Sequence, residues 1–187
     1  GFGYAKAAIC ETDSEKFEEL RKKLVKYEEI TDHIEYEIAT FLNAVSAENL
    51  SEASSMKVKA MYKIIGELDS LGDSGETISR ILSRRDIHKK VFDVVTIKNL
   101  GKMAETVESA YEAMFENLEA AHKGTLSDIS NAYNAEDRIN NLRSILRDTE
   151  IEGIEDGSKN YLTSVYYIDV VNQLERMGDF IINISQD

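Results

Sequence analysis

The sequence contains no proline in its 187 residues. Proline interrupts helices because its ring fixes φ and removes the backbone N–H, so its absence favours long uninterrupted helices. Tryptophan is also absent, and Cys10 is the only cysteine, which excludes an internal disulfide framework and fits a reducing compartment. Because no run approaches the roughly 18 apolar residues of a membrane span, we expect this segment to be soluble.

Basic residues are also scarce. The 22 lysines and arginines stand against 35 acids, which gives a formal net charge of −13. Nucleic acid is therefore excluded as an expected partner, because phosphate binding needs clustered Lys and Arg. An acidic surface most often serves solubility alone. The alternative is that some of the carboxylates bind cations.

Apolar residues recur at alternating steps of three and four, which is the pattern of long packed helices. The pattern predicts an all-α antiparallel bundle with helices at about 2–10, 15–46, 51–83, 91–122, 126–149 and 159–185. The stripe is longest in the second helix, where it predicts packing along the whole length (Phe17, Leu20, Leu24, Tyr27, Thr31, Ile34, Ile38, Phe41 and Val45). The charged run 84–86 interrupts the pattern, so we expect the third helix to end before it.

A short motif occurs twice. Residues 68–73 read Leu-Asp-Ser-Leu-Gly-Asp, and residues 174–179, 106 positions later, read Leu-Glu-Arg-Met-Gly-Asp. The segments before them, 28–34 and 136–142, also correspond at an offset of 108. This spacing predicts a duplication. We expect a first unit at 1–86, with its opening helix truncated to residues 2–10, and a second unit of three helices at 87–187, together forming one compact domain.

Both copies carry acids in pairs. Two acids four residues apart lie on one face of a helix, one turn from each other. In the first copy these pairs are Glu28 with Asp32 and Asp69 with Asp73. Carboxylates about 6 Å apart repel by roughly 3 kcal/mol at an effective dielectric near 20. The acids must therefore be solvated, protonated, paired with bases or bridged by a metal, and all-oxygen ligands favour hard cations such as Mg²⁺, Mn²⁺, Ca²⁺ or ferric iron.

The two motifs resemble the Leu-Glu-Arg-Ile-Gly-Asp signature of the PhoU family, which regulates bacterial phosphate uptake. Residues 28–38, with their Glu-x-x-x-Asp spacing, resemble the preceding helix of the same family. The resemblance covers nearly the whole chain in duplicate. Residues 29–42 and 65–68 are most similar to the PhoU-like domain at the C-terminus of sodium/phosphate cotransporter-type membrane proteins. The truncated opening helix fits that narrower assignment.

The resemblance implies metal clusters on the bundle surface. Carried over residue by residue, the first site consists of Glu28, Asp32, Asp69 and Asp73. The second set is incomplete, since Asn140 stands where an acid is expected and Arg176 adds a competing positive charge. Its remaining members are Glu136, Glu175 and Asp179. From the pattern alone, the favoured interpretation is that these acids only solvate helix faces, and it stays favoured for the second set after the resemblance is considered. Gly72 and Gly178 are expected to serve close helix packing.

The expected function is therefore a regulatory, non-enzymatic domain on the cytoplasmic side of the cell membrane. It would belong to a sodium-dependent phosphate transport protein, and its partner would be the membrane portion of the same chain or a transporter complex. The alternatives are a stand-alone PhoU-type regulator and a purely structural bundle that oligomerises, for example as a homodimer. A di-iron oxidoreductase is disfavoured because Glu119 and His122 form the only Glu-x-x-His pair, and such bundles need two.

Overall fold

The structure, a computed structural model, describes residues 1–125 and 128–187. These residues form six α-helices and no strand, which confirms the predicted all-α class. The predicted start of the fifth helix, at residue 126, lies outside the described residues. The helices are α1 (Phe2–Cys10), α2 (Ser14–Ser46), α3 (Glu52–Ile87), α4 (Val94–His122), α5 (Ser130–Glu155) and α6 (Tyr161–Gln186).

Side-chain caps begin four of the helices. At the start of α2, Oδ1 of Asp13 accepts hydrogen bonds from the backbone N–H of Glu15 and Lys16 at 3.1 and 3.0 Å. Such caps satisfy backbone donors that have no partner within the helix. Positive φ angles near the ends of α4 and α5 are taken by glycine, which adopts them without strain (Gly124, φ 69°, and Gly157, φ 77°). The remaining capping residues are Ser51, Asp93 and Asn160.

The charged run that was expected to end α3 is instead part of that helix, which continues to Ile87. The side chain of Arg85 is buried, with only 8% of the residue exposed. Its guanidinium pairs with Asp86 at 2.7 Å and lies 4.7 Å from the ring centroid of Phe92. The prediction was wrong because an ion pair and an aromatic contact compensate this charge within the packed interior.

The helices associate in two groups, α1–α3 and α4–α6, joined where α3 packs against α6 and α1 against α4. One continuous hydrophobic core takes residues from both groups. Fully buried side chains on the two central helices supply its middle part (Ile78, Leu82, Leu174, Met177, Ile181 and Ile184). At about 1.5–3 kcal/mol for each fully buried large aliphatic side chain, this central pair is the main stabilising contact between the groups.

The packing of α2 differs from the prediction of a seam buried along its whole length. Phe17 and Leu24 are buried near its start, where α1 covers them. Farther along, side chains of the same stripe are open to solvent: Tyr27 is 41% exposed, Ile34 51% and Phe41 67%. The reason is the length of α1, since nine residues extend about 13 Å and α2 is more than three times longer. In the second group, the helix that packs beside α5 is longer, since α4 has 29 residues.

The repeated glycines mark two close helix contacts. A Cβ atom placed on Gly72 of α3 would lie 3.3 Å from Oγ1 of Thr31 on α2, and one on Gly178 of α6 would lie 2.8 Å from Cδ1 of Ile139 on α5. Thr31 and Ile139 are 108 residues apart, the offset at which their segments correspond. The same contact therefore occurs in both groups and fixes the register of α2 on α3 and of α5 on α6.

These contacts predict opposite effects of alanine at two helical glycines. Gly178→Ala should destabilise the protein by about 1–3 kcal/mol, because overpacking against the fully buried Ile139 exceeds the gain in helix propensity. Gly66→Ala, whose Cβ would meet nothing within 4 Å, should stabilise by up to about 1 kcal/mol. Urea denaturation of both variants measures this. Equal stabilisation by the two would contradict a tight contact at Gly178.

Candidate metal centre

The first acidic cluster lies where α2 crosses α3 beside the Gly72 contact. Glu28, Asp32 and Asp73 each offer a carboxylate oxygen, and these three oxygens lie within 4.8 Å of one another. Oxygens at that spacing fit around one hard cation, because metal–oxygen bonds of 2.0–2.6 Å allow ligands to stand up to about twice that distance apart. Glu28 is half-buried, and the other two residues are exposed.

The fourth predicted residue, Asp69, lies at the edge of this group rather than within it. The pKa of Asp69 is raised to about 6, first by burial and then by the charges of Asp32 and Asp73 and a hydrogen bond to Asp32. Burial also raises the pKa of Glu28, followed by the charges of Asp32 and Asp73. The cluster therefore carries more negative charge than its surroundings compensate.

Two acids that the sequence reasoning did not select belong to the same surface. Glu35 acts on Asp69, and Glu76 acts on Glu28, each raising the pKa of its neighbour through its negative charge. Glu76 is paired with Arg80 at 2.7 Å. The signal was present in the spacing, since Glu35 follows Glu28 by seven residues, which is two helical turns.

The second set has different chemistry. Nδ2 of Asn140 donates a hydrogen bond to Oε1 of Glu136 at 3.1 Å, so an amide occupies the place of a second carboxylate on α5. Burial and the charge of Glu175 raise the pKa of Asp179, whereas Arg176 and Arg143 lower it. The two guanidinium groups bring positive charge to a surface whose predicted ligands are three acids, which makes it less suited to a cation than the first surface.

The other motifs have ordinary structural partners. Glu119 accepts a hydrogen bond from Lys123 at 2.6 Å, so it forms an ion pair with a residue one helical turn away. His33 lies 3.7 Å from Glu37 on the exposed side of α2. In the part of the chain that the structure describes, Glu28, Asp32 and Asp73 are the one group of three or more metal-ligating side chains with this spacing.

Comparisons with known proteins agree with this architecture. The sequence model of the PhoU domain matches residues 100–187, which are α6, α5 and most of α4. The crystal structure of PhoU from Pseudomonas aeruginosa superposes with a TM-score of 0.74, covering 99% of this chain and 85% of that one at 18% sequence identity. The chain thus has the helical-bundle fold of PhoU, and its C-terminal half matches the PhoU domain.

No curated protein matches the sequence. Among the described helices, none is long and apolar enough to cross a membrane.

The raised pKa of Asp69 predicts how stability depends on pH. A carboxyl whose pKa rises from 3.8 to about 6 on folding costs nothing well below pH 3.8, where it is protonated in both the native and the unfolded state, and it destabilises the native state increasingly as the pH rises to about 6. Asp69→Asn should therefore stabilise the metal-free protein at pH 8 by about 1 kcal/mol, a value reduced for solvent screening, and have a much smaller effect at pH 4. Urea denaturation in a chelator at both values measures the difference.

The control is Asp148→Asn, which removes an exposed acid on a different helix, α5. This variant should leave the free energy of unfolding unchanged at both pH 4 and pH 8. If Asp69→Asn stabilised equally at pH 4 and pH 8, the uncompensated charge of the cluster would not be the cause.

Proposed function

We propose that the chain is a PhoU-type regulator of phosphate uptake that acts without catalysis. The observation that carries this proposal is the PhoU domain match over residues 100–187 within a chain whose whole fold is that of PhoU. The duplicated glycine contact supports extending the family assignment to residues 1–99. The proposed units are residues 1–86 and 87–187, and the opening helix of the first unit has nine residues.

The regulator could exist in two forms, as a stand-alone protein or as a domain of a transporter. The comparisons support a stand-alone PhoU-type protein at least as well as the C-terminal domain of a sodium/phosphate cotransporter. The cotransporter form rests on the sequence resemblance of residues 29–42 and 65–68. The coding sequence that flanks this segment distinguishes them. Membrane spans encoded before residue 1 would support the cotransporter form. In either form, the proposed location is the cytoplasmic face of the membrane.

The proposal includes a cation site at Glu28, Asp32 and Asp73, with Asp69 and Glu35 beside it. A bound Mg²⁺, Mn²⁺, Ca²⁺ or ferric ion would supply the positive charge that the acidic surface lacks. The protein's own contribution is to hold the three carboxylates together, through the register of α2 on α3 that Gly72 and Thr31 set. All-oxygen ligands favour these hard ions over Zn²⁺.

The acidic cluster and the exposed stripe share one helix, which suggests how a cation would change partner binding. Tyr27, Ile34 and Phe41 form an apolar surface on α2, and no Lys or Arg occurs between residues 27 and 47. Several large apolar side chains exposed on one surface indicate an interaction surface. We assign it to the transporter partner. Neutralising the neighbouring carboxylates would lower the electrostatic cost of placing this surface against another protein.

Calorimetric titration with Mn²⁺ and Mg²⁺ tests the cation site. Wild type should bind, and Asp32→Ala/Asp73→Ala should bind at least tenfold more weakly, because it removes two of the three convergent ligands. The matched control is Glu136→Ala/Asp179→Ala, which removes two acids of the second set and should bind like wild type. Equally weak binding by all three proteins would remove the site from the proposal.

A structural, oligomerising bundle is the competing function, and the exposed stripe on α2 is the observation that favours it. Our assignment predicts a monomer at micromolar concentration in sedimentation equilibrium, because two acidic α2 surfaces repel each other. Phe41→Asp should then leave the mass unchanged, as should Ile145→Asp on α5, which removes another exposed apolar side chain. A dimer that dissociates with Phe41→Asp and persists with Ile145→Asp would favour the scaffold.

A further inference from the structure

The two acidic surfaces can be compared position by position, because the glycine contacts align them. Gly72 against Thr31 in the first group is the same contact as Gly178 against Ile139 in the second. In this alignment, six acids on α2 and α3 correspond to six positions on α5 and α6, of which three are acids and the others are an asparagine, an arginine and an isoleucine. The pairs are Glu28 and Glu136, Asp32 and Asn140, Glu35 and Arg143, Asp69 and Glu175, Asp73 and Asp179, and Glu76 and Ile182.

The most consequential difference is at Glu35 and Arg143. Arg143 follows Ile139 by one helical turn on α5, and Glu175 precedes Gly178 by nearly one turn on the antiparallel α6. Since Ile139 contacts Gly178, Arg143 and Glu175 lie at the same level of the helix pair. The structure thus places a guanidinium group on the second acidic surface, whereas the first surface has only carboxylates at the aligned positions.

Arg143 is held at this surface rather than extended into solvent. The residue is half-buried, and its Nε atom is fully buried with no hydrogen-bond partner among the described residues. Its charge acts on Asp179 through space. Arg176, by comparison, is exposed, and its guanidinium lies 5.8 Å from the ring centroid of Phe180 on its own helix. Arg143 is therefore the cation built into the interhelical surface.

We propose that Arg143 replaces a metal ion in the second acidic surface, so that only the first surface binds one. The inference rests on the proposed cation site of the first group. A guanidinium cannot be deprotonated in a protein, so this compensation is permanent, whereas that of the first surface depends on the concentration of free cation. The chain then has one cation-responsive half and one half of fixed charge.

Exchanging the charges between the two surfaces tests the proposal. In Asn140→Asp/Arg143→Glu, the second surface receives the residues of the first, so the number of Mn²⁺ ions bound per chain should double relative to wild type. Glu35→Arg, which gives the first surface the residue of the second, should weaken Mn²⁺ binding at least tenfold. Electron paramagnetic resonance counts free and bound Mn²⁺ in each sample.

A second arm needs no metal and keeps the proposal testable if the double variant does not fold. In a chelator, Arg143→Gln should lower Tm, because it leaves the second surface uncompensated, and Glu35→Gln should raise Tm, because it relieves repulsion in the first. Arg147→Gln, an exposed arginine one turn farther along α5, is the control and should change Tm little.

The outcomes separate this inference from the proposed function. If wild type binds Mn²⁺ and the folded double variant gains no further ion, the role of Arg143 is overturned and the first site stands. If wild type binds no Mn²⁺, the proposed site fails, and the chelator arm alone decides whether Arg143 compensates the second surface. Equal changes of Tm for Arg143→Gln and Arg147→Gln would contradict that compensation.

Discussion

The close approach of two helix pairs at Gly72 and Gly178 is the constraint on which the acidic surfaces depend. Helices whose contact contains no Cβ atom come closer than side chains would otherwise allow, and in a helix this costs roughly 1 kcal/mol for each glycine. The approach sets the register of α2 on α3 and of α5 on α6. With that register fixed, the acid pair of α2 faces that of α3, whereas α5 presents Glu136 and Asn140 beside the acid pair of α6.

Bringing carboxylates together in this way requires compensation, and the two groups achieve it differently. In the first, Glu28, Asp32 and Asp73 meet within 4.8 Å, and Asp69 beside them holds its proton up to a pKa of about 6. In the second, an amide at Asn140 and the guanidinium of Arg143 reduce the negative charge. One register thus supports a surface of carboxylates alone, at which we propose a cation, and a surface that carries its own positive charge.

The sequence predicts the fold well because its signals are local. Apolar periodicity, the caps and the absence of proline each act within one helix, so most helix ends lie within four residues of their predictions, although α5 continues to Glu155, six residues beyond the predicted end at 149. The errors arise where tertiary context decides. Arg85 continues α3 because Asp86 and Phe92 compensate it, and Tyr27, Ile34 and Phe41 on the stripe of α2 are exposed because α1 is short. Arg143 was missed because its importance appears only when the register between α5 and α6 is known, whereas the seven-residue spacing of Glu35 from Glu28 was already present in the sequence.

We propose that the charge of the first surface is compensated by a cation from outside the protein and that of the second by the protein's own arginine. The most direct measurement is anomalous diffraction from crystals of the wild-type chain equilibrated with Mn²⁺. We predict a peak within bonding distance of Glu28, Asp32 and Asp73, and none beside Glu175 and Asp179. Peaks of equal height at both surfaces, or a peak at the second alone, would contradict it.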